Sequence, residues 1–222
     1  MTEQEYIRQL EQVIARFLQP LRDIPFPIVI RALYGFEVLS FDQNERRNRE
    51  LLKMLIQAAE ISGRRAHQEG IFARRPNEAG NKIEPYVKEA LREVGLNADT
   101  PRTRSGRRKT AGYPDLEIRD RWERVIYLDC KTYTARTREQ TFRTFYFSPS
   151  PDPKITQDAY HLLLTFELRE IQRRQRRCFV PVHWEIYTLE NLRGQIKHEF
   201  NANNRQLYHL EALLAEGEIR RR

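Results

Sequence analysis

The sequence predicts an α/β protein in which a helical N-terminal part precedes a core of helices and strands. Apolar residues recur at helical spacing in residues 1–76, whereas residues 113–118 and 125–133 show the alternating, β-branched and aromatic pattern of strands. The chain has 222 residues. That length allows one well-buried domain with an appendage and is too short for several large domains.

Two amphipathic helices are predicted in the N-terminal part. Apolar residues recur at helical spacing in residues 3–18 and again in residues 46–66. Pro25 and Pro27 punctuate the stretch between them. Such a pair of helices either packs on the core that follows or forms an interaction domain of its own.

A third helix is predicted over residues 81–94. Its apolar positions recur at helical spacing, and Gly95 follows where a left-handed C-terminal cap is expected. Proline is tolerated only in the first helical turn, so Pro85 places the start at or shortly before Glu84. The Glu84 carboxylate is then either a group that caps the helix and complements its dipole or a catalytic group.

Two strands are predicted after this helix, over residues 113–118 and 125–133, and each carries an aspartate on a face that can be inferred from its alternating pattern. In residues 113–118, alternation puts Asp115 on the face that points away from the core. In residues 125–133, alternation puts Asp129 and Lys131 together on one face, and a polar turn before this strand suggests a hairpin. We therefore expect Asp115, Asp129 and Lys131 to meet on adjacent strands.

Two carboxylates and one amine in this arrangement suit metal-assisted cleavage of a phosphodiester. Mg²⁺ takes oxygen ligands and keeps several waters, so Asp115 and Asp129 are candidate ligands. Lys131 would lie beside the attacking water and could orient it, help to deprotonate it or stabilise the transition state. In a chain that is 32% charged, the same short pattern also arises by chance, and its carboxylates would then only balance charge.

Three further elements are predicted after these strands. Residues 141–148 are rich in Phe and Tyr, predict a strand and end in a breaker cluster of Ser and Pro. Residues 155–174 have apolar side chains at helical spacing and arginines near the end, as expected of a helix. Residues 178–187 predict another strand, in which Pro181 indicates an edge position or a bulge.

The candidate residues occur in the order of a known motif: Glu84, then Pro114-Asp115, then Asp129-Cys130-Lys131. They resemble the helix Glu, the PD and the (D/E)xK of the PD-(D/E)xK nuclease superfamily. Within it, the chain most resembles type II restriction endonucleases. Residues 128–134 and 142–148 are similar to the corresponding stretch of EcoRV-like, blunt-cutting members, and the pattern of elements extends over residues 77–190.

This resemblance implies an αβββαβ core with a mixed sheet and helices on its faces. It implies that Mg²⁺, for which Mn²⁺ would substitute, is bound by Asp115, Asp129 and Glu84, that Lys131 assists the water, and that no organic cofactor is needed. Because residues 1–76 have a helical pattern unlike that of the rest, we expect two parts: a helical subdomain that dimerises or embraces DNA, residues 1–76, and a catalytic and DNA-recognition domain, residues 77–222. A homodimer is expected because a two-fold symmetric enzyme most simply cuts both strands of a palindromic site.

The charge distribution suggests where DNA would bind. The formal net charge is +8, which favours polyanionic partners. One basic stretch without an acid precedes the first acidic strand, and it forms either a phosphate-binding loop or a solvated flexible one. Together with polar residues after residue 147 and near the C-terminus, the predicted DNA contacts are Arg102, Arg104, Arg107, Arg108, Lys109, Ser148, Ser150, Lys154, Asn203 and Arg205.

The remaining features indicate a soluble protein of a reducing, prokaryotic cytoplasm. Cys130 and Cys178 lack zinc-ligand spacing, and Cys130 lies on the core face of its strand, so a buried thiol is expected. The five histidines make no metal-ligand spacing and are expected to be ordinary core or surface residues. No signal peptide or membrane-length apolar run is evident, and no membrane partner is expected.

The sequence thus favours a Mg²⁺-dependent type II restriction endonuclease that hydrolyses both strands of duplex DNA. Two alternatives stay open. One is a structure-specific repair, junction-resolving or transposition nuclease on the same core. The other is a basic DNA-binding protein without catalytic activity.

Overall fold

The computed structural model describes residues 2–73, 76–138, 145–173 and 175–198. The chain divides into two compact units, Met1–Ile24 with Gly194–Arg222, and Pro25–Arg193. Helices and strands are labelled α1–α4 and β1–β8 in chain order. No helix in the described part of the chain is long and apolar enough to cross a membrane.

In its described residues, 2–24 and 194–198, the smaller unit contains one helix and most of a two-stranded sheet. Helix α1, Glu3–Leu18, confirms the first predicted helix with its bounds. It begins with a capping box, in which Glu5 N donates to Thr2 Oγ1 at 3.2 Å and Thr2 N donates to Glu5 Oε2 at 2.7 Å. Strands β1, Leu21–Pro25, and β8, Arg193–Ile196, form the sheet.

The larger unit is built on a six-stranded mixed sheet, which confirms the predicted fold class. Its strands are β2 (Ile71–Phe72), β3 (Asn97–Asp99), β4 (Leu116–Arg119), β5 (Val125–Tyr133), β6 (Tyr160–Arg173) and β7 (Arg176–Thr188). Their order is β2-β7-β6-β5-β4-β3, and β5 and β6 are parallel while the other neighbours are antiparallel. The adjacent pair β4 and β5 is the predicted hairpin.

Helices cover both faces of this sheet. Helix α3, Arg46–Glu69, and helix α4, Pro76–Glu93, pack against the even-numbered residues of β5, such as Ile126 and Leu128. Helix α2, Phe26–Tyr34, packs against the odd-numbered residues Val125 and Tyr127. Helix α3 confirms the second predicted helix, whereas α2 was not predicted.

Helix α4 starts earlier than predicted, at Pro76, so Pro85 and Glu84 lie inside it. The ring of Pro85 is on the exposed side, and the opposite face buries Ile83, Val87 and Leu91. Burial of that face outweighs the backbone hydrogen bond that proline cannot donate. The C-terminal end is as predicted, since Gly95 has φ 91° and its N–H donates to Arg92 O at 3.0 Å.

The predicted helix over residues 155–174 is wrong, because the chain forms strand β6 there. Strand β6 lies between β5 and β7 and is covered on both faces, so Leu162, Leu163 and Leu164 are all apolar and none needs to alternate with a polar residue. A continuous apolar run of this kind fits a buried helix and a buried strand equally well. Among the described residues between β5 and β6, 134–138 and 145–159, no helix occurs.

Strand β7 confirms the strand predicted over residues 178–187 and the bulge indicated by its proline. The register changes from Glu167↔His183 to Leu168↔Pro181, which leaves Val182 as the extra residue. The strand predicted over residues 141–148 lies partly outside the described residues. Its described part, 145–148, is irregular. Both cysteines are buried free thiols, as expected for Cys130.

Candidate active site

The hairpin of β4 and β5 brings the two predicted aspartates together. Leu116 pairs with Leu128, and one residue earlier Asp115 N donates to Leu128 O at 3.1 Å. The Asp115 carboxylate then accepts a hydrogen bond from Cys130 N, with Oδ2 2.8 Å away. Asp115 is therefore held just before the first residue of β4, with its carboxylate hydrogen-bonded to the backbone between Asp129 and Lys131.

Lys131 lies between the two carboxylates. Its Nζ is 2.6 Å from Asp129 Oδ2 and 3.9 Å from Asp115 Oδ2, and it donates to Cys130 O at 3.4 Å. The side chain of Lys131 is 33% exposed, whereas those of Asp115 and Asp129 are 12% and 2% exposed. The site is thus a nearly buried pair of carboxylates with an amine that reaches solvent.

Burial and mutual repulsion decide the charges of these groups. Burial, with the Asp115 charge as a second cause, raises the pKa of Asp129 to about 7, and Lys131 opposes this shift. Burial also works to lower the pKa of Lys131, but Asp129 and Asp115 together raise it above its ordinary value. Lys131 therefore stays charged at neutral pH while Asp129 titrates there.

Glu84 approaches the same site from the middle of α4. It is half-buried. Burial raises the pKa of Glu84 to about 7, the Asp115 charge adds to this shift, and Lys131 opposes it. Because Glu84 lies inside the helix, the prediction that it could cap the helix start is wrong. Its position instead adds a third carboxylate to the electrostatics of the aspartate pair.

The available oxygens fit a hard divalent cation. Apart from its ion pair with Lys131, Asp129 Oδ2 is buried and has no hydrogen-bond partner among the described residues. No group of three or more His, Cys, Asp or Glu is already gathered around a metal position in the described part of the chain. Asp115 and Asp129 therefore offer the carboxylate oxygens that such an ion takes, and Glu84 is near enough for the Asp115 charge to raise its pKa.

The basic loop of residues 102–109 is ordered against the segment that precedes β6. Arg104 N donates to Pro153 O at 2.9 Å, and Ser105 donates from N and Oγ to the two oxygens of Asp152, at 2.9 and 2.7 Å. An antiparallel bridge between Arg102 and Arg108 closes the loop. The alternative of a free, solvated loop is therefore not what the structure shows.

The predicted DNA-contacting residues fall in different environments. Arg107 pairs with Asp152 at 3.6 Å and Arg108 pairs with Asp99 at 2.8 Å, whereas Arg104 and Lys109 form no ion pair with any described residue. Arg102 and Ser148 are exposed, while Ser150 Oγ donates to Asp152 O at 3.0 Å within its own turn. Asn203 and Arg205 lie outside the described residues.

Lys154 is the predicted contact whose position differs most from expectation. It is 4% exposed, and its Nζ donates to the carbonyls of Thr110, Gly112 and Pro114 at 3.4, 2.5 and 2.7 Å. Burial lowers the pKa of Lys154 to about 8. A lysine after a Ser- and Pro-rich loop is ordinarily exposed, so nothing in the sequence pattern distinguishes this one.

The sequence also did not predict a contact between Tyr113, which lies in residues 110–114, and His161. The Tyr113 hydroxyl lies 2.6 Å from His161 Nδ1, and burial lowers the pKa of His161 to about 3, so its ring is neutral. Tyr113 also packs edge-on against Phe26 and Phe145. His161 is thus a core residue, as expected.

Comparison with known proteins places this chain in the class of type II restriction enzymes. Residues 20–211 match the model of the type II restriction enzyme MjaV family. The chain is 35% identical over 235 residues to the type II restriction enzyme MjaV of Methanocaldococcus jannaschii, an alignment that covers 99% of this chain and 100% of that protein. The chain belongs to the MjaV family of type II restriction enzymes, which are site-specific deoxyribonucleases.

Among solved structures, the chain is similar to the tetrameric restriction endonuclease SfiI, whose crystal structure contains cognate DNA. The TM-score is 0.41 at 15% identity, and the match covers 69% of this chain and 67% of that chain. Type II restriction enzymes generally require a divalent metal ion and act on DNA. Family membership selects the restriction enzyme from the three functions that the sequence left open.

Proposed function

We propose that the site built from Asp115, Asp129, Lys131 and Glu84 hydrolyses phosphodiester bonds of duplex DNA with bound Mg²⁺. The observation that carries this proposal is the convergence of two carboxylates on one amine, with Lys131 Nζ 2.6 Å from Asp129 and 3.9 Å from Asp115. Few structural roles favour this arrangement, because burying two carboxylates beside each other destabilises their charged forms.

The carboxylates have the chemistry to hold the ion. Asp115 and Asp129 offer hard oxygens with little exposure, and Glu84 offers another from α4. When bound, Mg²⁺ would favour ionisation of water and offset the negative charge that develops on the phosphate. Mn²⁺ has the same preference for oxygen ligands and is expected to substitute.

Lys131 supplies a positive charge beside the carboxylates. Its ammonium is held by the two aspartates and is one-third exposed, so it can reach a water or phosphate oxygen at the mouth of the site. Because the aspartates raise the pKa of Lys131, it acts as a cation at neutral pH. We infer that it orients the attacking water and stabilises transition-state charge rather than removing a proton.

DNA would reach this site along the basic loop of residues 102–109. The loop is anchored to the segment before β6, and its exposed arginines and lysine suit phosphate contacts. We place sequence readout in the same region and in the polar residues that follow residue 147.

We further infer that the enzyme acts as a homodimer in the cytoplasm. One chain carries one candidate site, and two symmetric sites would cut both strands of a palindrome. Residues 1–76 remain the proposed dimerisation and DNA-embracing subdomain, with residues 77–222 as the catalytic and recognition domain. Helix α1 has the apolar residues for such an interface, since Ile7, Leu10 and Phe17 are 48%, 45% and 64% exposed in the single chain. Sedimentation of the purified protein would test the dimer directly.

The experiment that tests the function is digestion of phage DNA of known sequence with purified protein, in Mg²⁺ or in EDTA. Sequencing of the fragment ends would give the site and the end geometry together, including the blunt ends suggested by the resemblance to EcoRV-like enzymes. Discrete fragments in Mg²⁺ alone are expected. Fragments of equal yield in EDTA would exclude the metal mechanism.

A further inference from the structure

Lys154 is a buried lysine whose hydrogen bonds all go to one loop. It is 4% exposed, and Nζ donates to Pro114 O at 2.7 Å, Gly112 O at 2.5 Å and Thr110 O at 3.4 Å. An ammonium group has three N–H donors, so these carbonyls account for all of them. No ion pair joins Lys154 to a carboxylate among the described residues. Its hydrogen bonds therefore all go to the backbone of residues 110–114, and the nearby charges of Asp115, Glu84 and Asp129 also favour the charged form, which raises its pKa against the effect of burial.

The contact with Pro114 fixes the peptide that leads into Asp115. Lys154 holds the carbonyl oxygen of that peptide at 2.7 Å, and the N–H of the same peptide, on Asp115, donates to Leu128 O at 3.1 Å. A peptide unit is planar, so holding its oxygen and its nitrogen fixes its orientation. The direction in which the Asp115 side chain leaves the backbone follows from that orientation.

The segment that carries Lys154 is itself anchored. Asp152 accepts hydrogen bonds from Ser105 N and Oγ at 2.9 and 2.7 Å, and Pro153 O accepts from Arg104 N at 2.9 Å. The lysine is thus presented from a segment that is tied to the basic loop. A buried cation on an anchored segment can impose a geometry on a loop that has no regular secondary structure of its own.

We propose that Lys154 is a positioning residue for Asp115, which it aligns by holding the carbonyls of residues 110–114. This inference rests on the proposed function, because it concerns Asp115 as a ligand of the metal ion. Lys154 does not touch the substrate in this role, since its donors are already used. Residues that orient a ligand from behind typically change metal affinity or activity by about 10–100-fold when they are replaced.

The test is Mn²⁺ binding to the purified full-length chain, followed by the electron paramagnetic resonance signal of the free ion. Lys154→Met keeps an unbranched side chain that is shorter by one heavy atom, and it removes every donor. We expect it to weaken Mn²⁺ binding by about 10-fold or more, with circular dichroism unchanged. Lys53→Met, on the exposed side of α3, is the matched control and is expected to bind Mn²⁺ like the wild type.

A double-mutant cycle separates positioning of Asp115 from a general effect on the fold. In an Asp115→Asn background, Lys154→Met should cause no further loss of Mn²⁺ affinity, because the ligand that it aligns is already gone. A further loss as large as in the wild-type background would overturn the proposal. So would wild-type Mn²⁺ affinity in Lys154→Met itself.

Two outcomes distinguish this inference from the proposed function. If Asp115→Asn binds Mn²⁺ as the wild type does, the metal assignment fails and the inference falls with it. If Asp115→Asn loses binding while Lys154→Met keeps it, only the positioning role is wrong. Should Lys154→Met fail to fold, Lys154→Gln replaces it in the same titration. The amide nitrogen of glutamine is one bond nearer the backbone than Nζ and has only two donors, so it cannot hold the three carbonyls and weaker Mn²⁺ binding is expected; wild-type affinity in that variant contradicts the proposal.

Discussion

Lys131 Nζ lies 2.6 Å from Asp129 Oδ2, and the two side chains come from the same face of strand β5. The side chain of Asp129 is 2% exposed and that of Lys131 is 33% exposed, so the carboxylate is buried while the ammonium group is accessible to solvent. Asp115 enters from the neighbouring strand and accepts from the backbone N–H of Cys130, which lies between the two. Burial, with repulsion from Asp115 as a second cause, raises the pKa of Asp129 and underlies the titration behaviour expected below.

Glu84→Gln should raise the Mg²⁺ concentration that gives half-maximal cleavage, by about 10-fold, because a charged oxygen near the aspartate pair is lost. Single-turnover cleavage at several Mg²⁺ concentrations measures this change. Glu89→Gln is the matched control, since Glu89 lies on the same helix with its side chain exposed. An unchanged Mg²⁺ dependence in Glu84→Gln would exclude Glu84 from metal binding.

Cleavage at low Mg²⁺ should increase with pH between about 6 and 8. The pKa values of Asp129 and Glu84 are both raised to about 7, first by burial, so protons compete with the metal ion below that pH. Higher Mg²⁺ should move the midpoint of the profile to lower pH. A midpoint that does not respond to Mg²⁺ would show that these carboxylates are not the metal ligands.

The metal-free protein should be stabilised by Asp129→Asn at pH 8. The pKa of Asp129 is raised in the folded state, so the folded protein binds more protons than the unfolded chain between about pH 4 and pH 7. The contribution of protonated Asp129 to the free energy of unfolding is therefore present at low pH and is lost as the pH rises through its folded-state pKa of about 7. Asparagine cannot acquire the unfavourable charge.

Thermal unfolding in EDTA measures this effect. A stabilisation of 1 kcal/mol raises the Tm of a chain of this size by about 2–4 °C. The rise should be clear at pH 8 and small at pH 5, where Asp129 is already protonated in the folded protein. An equal change at both pH values would point to a packing effect instead.

Arg104→Ala and Lys109→Ala should weaken DNA binding about equally for all sequences, and each should reduce the slope of log affinity against log salt by about one. Arg108→Ala should have a smaller effect, because Arg108 already pairs with Asp99 at 2.8 Å. Fluorescence anisotropy in Ca²⁺ over a range of salt concentrations gives these slopes. Equal slopes for all variants and the wild type would show that the loop of residues 102–109 does not contact DNA.

The local pattern was sufficient to predict the hairpin that carries the candidate site. Alternation along residues 125–133 places Asp129 and Lys131 on one face, and this depends only on strand geometry. Strand β6 could not be predicted in the same way, because both of its faces are covered and its apolar residues do not alternate. The hairpin that carries the site can therefore be predicted from local sequence, whereas strand β6 in the middle of the sheet depends on tertiary packing.

The contacts that support the site could not be predicted from the sequence for a related reason. Lys154 is held by carbonyls of residues 110–114, which lie 40–44 residues earlier in the chain, and Tyr113 meets His161 across 48 residues of chain. Helix α4 extends through Pro85 because its opposite face is buried, which no local preference of proline reveals. Each of these features is decided by contacts between distant segments.

The most direct test of the central claim compares cleavage and DNA binding by Asp129→Ala and Lys131→Ala, with Lys53→Ala as the control from an exposed helix position. The wild type and Lys53→Ala should cut phage DNA into discrete fragments in Mg²⁺. Both site variants should lose at least about 100-fold in rate while they remain folded and bind DNA. Cleavage at the wild-type rate by either folded variant would contradict the assignment of this site.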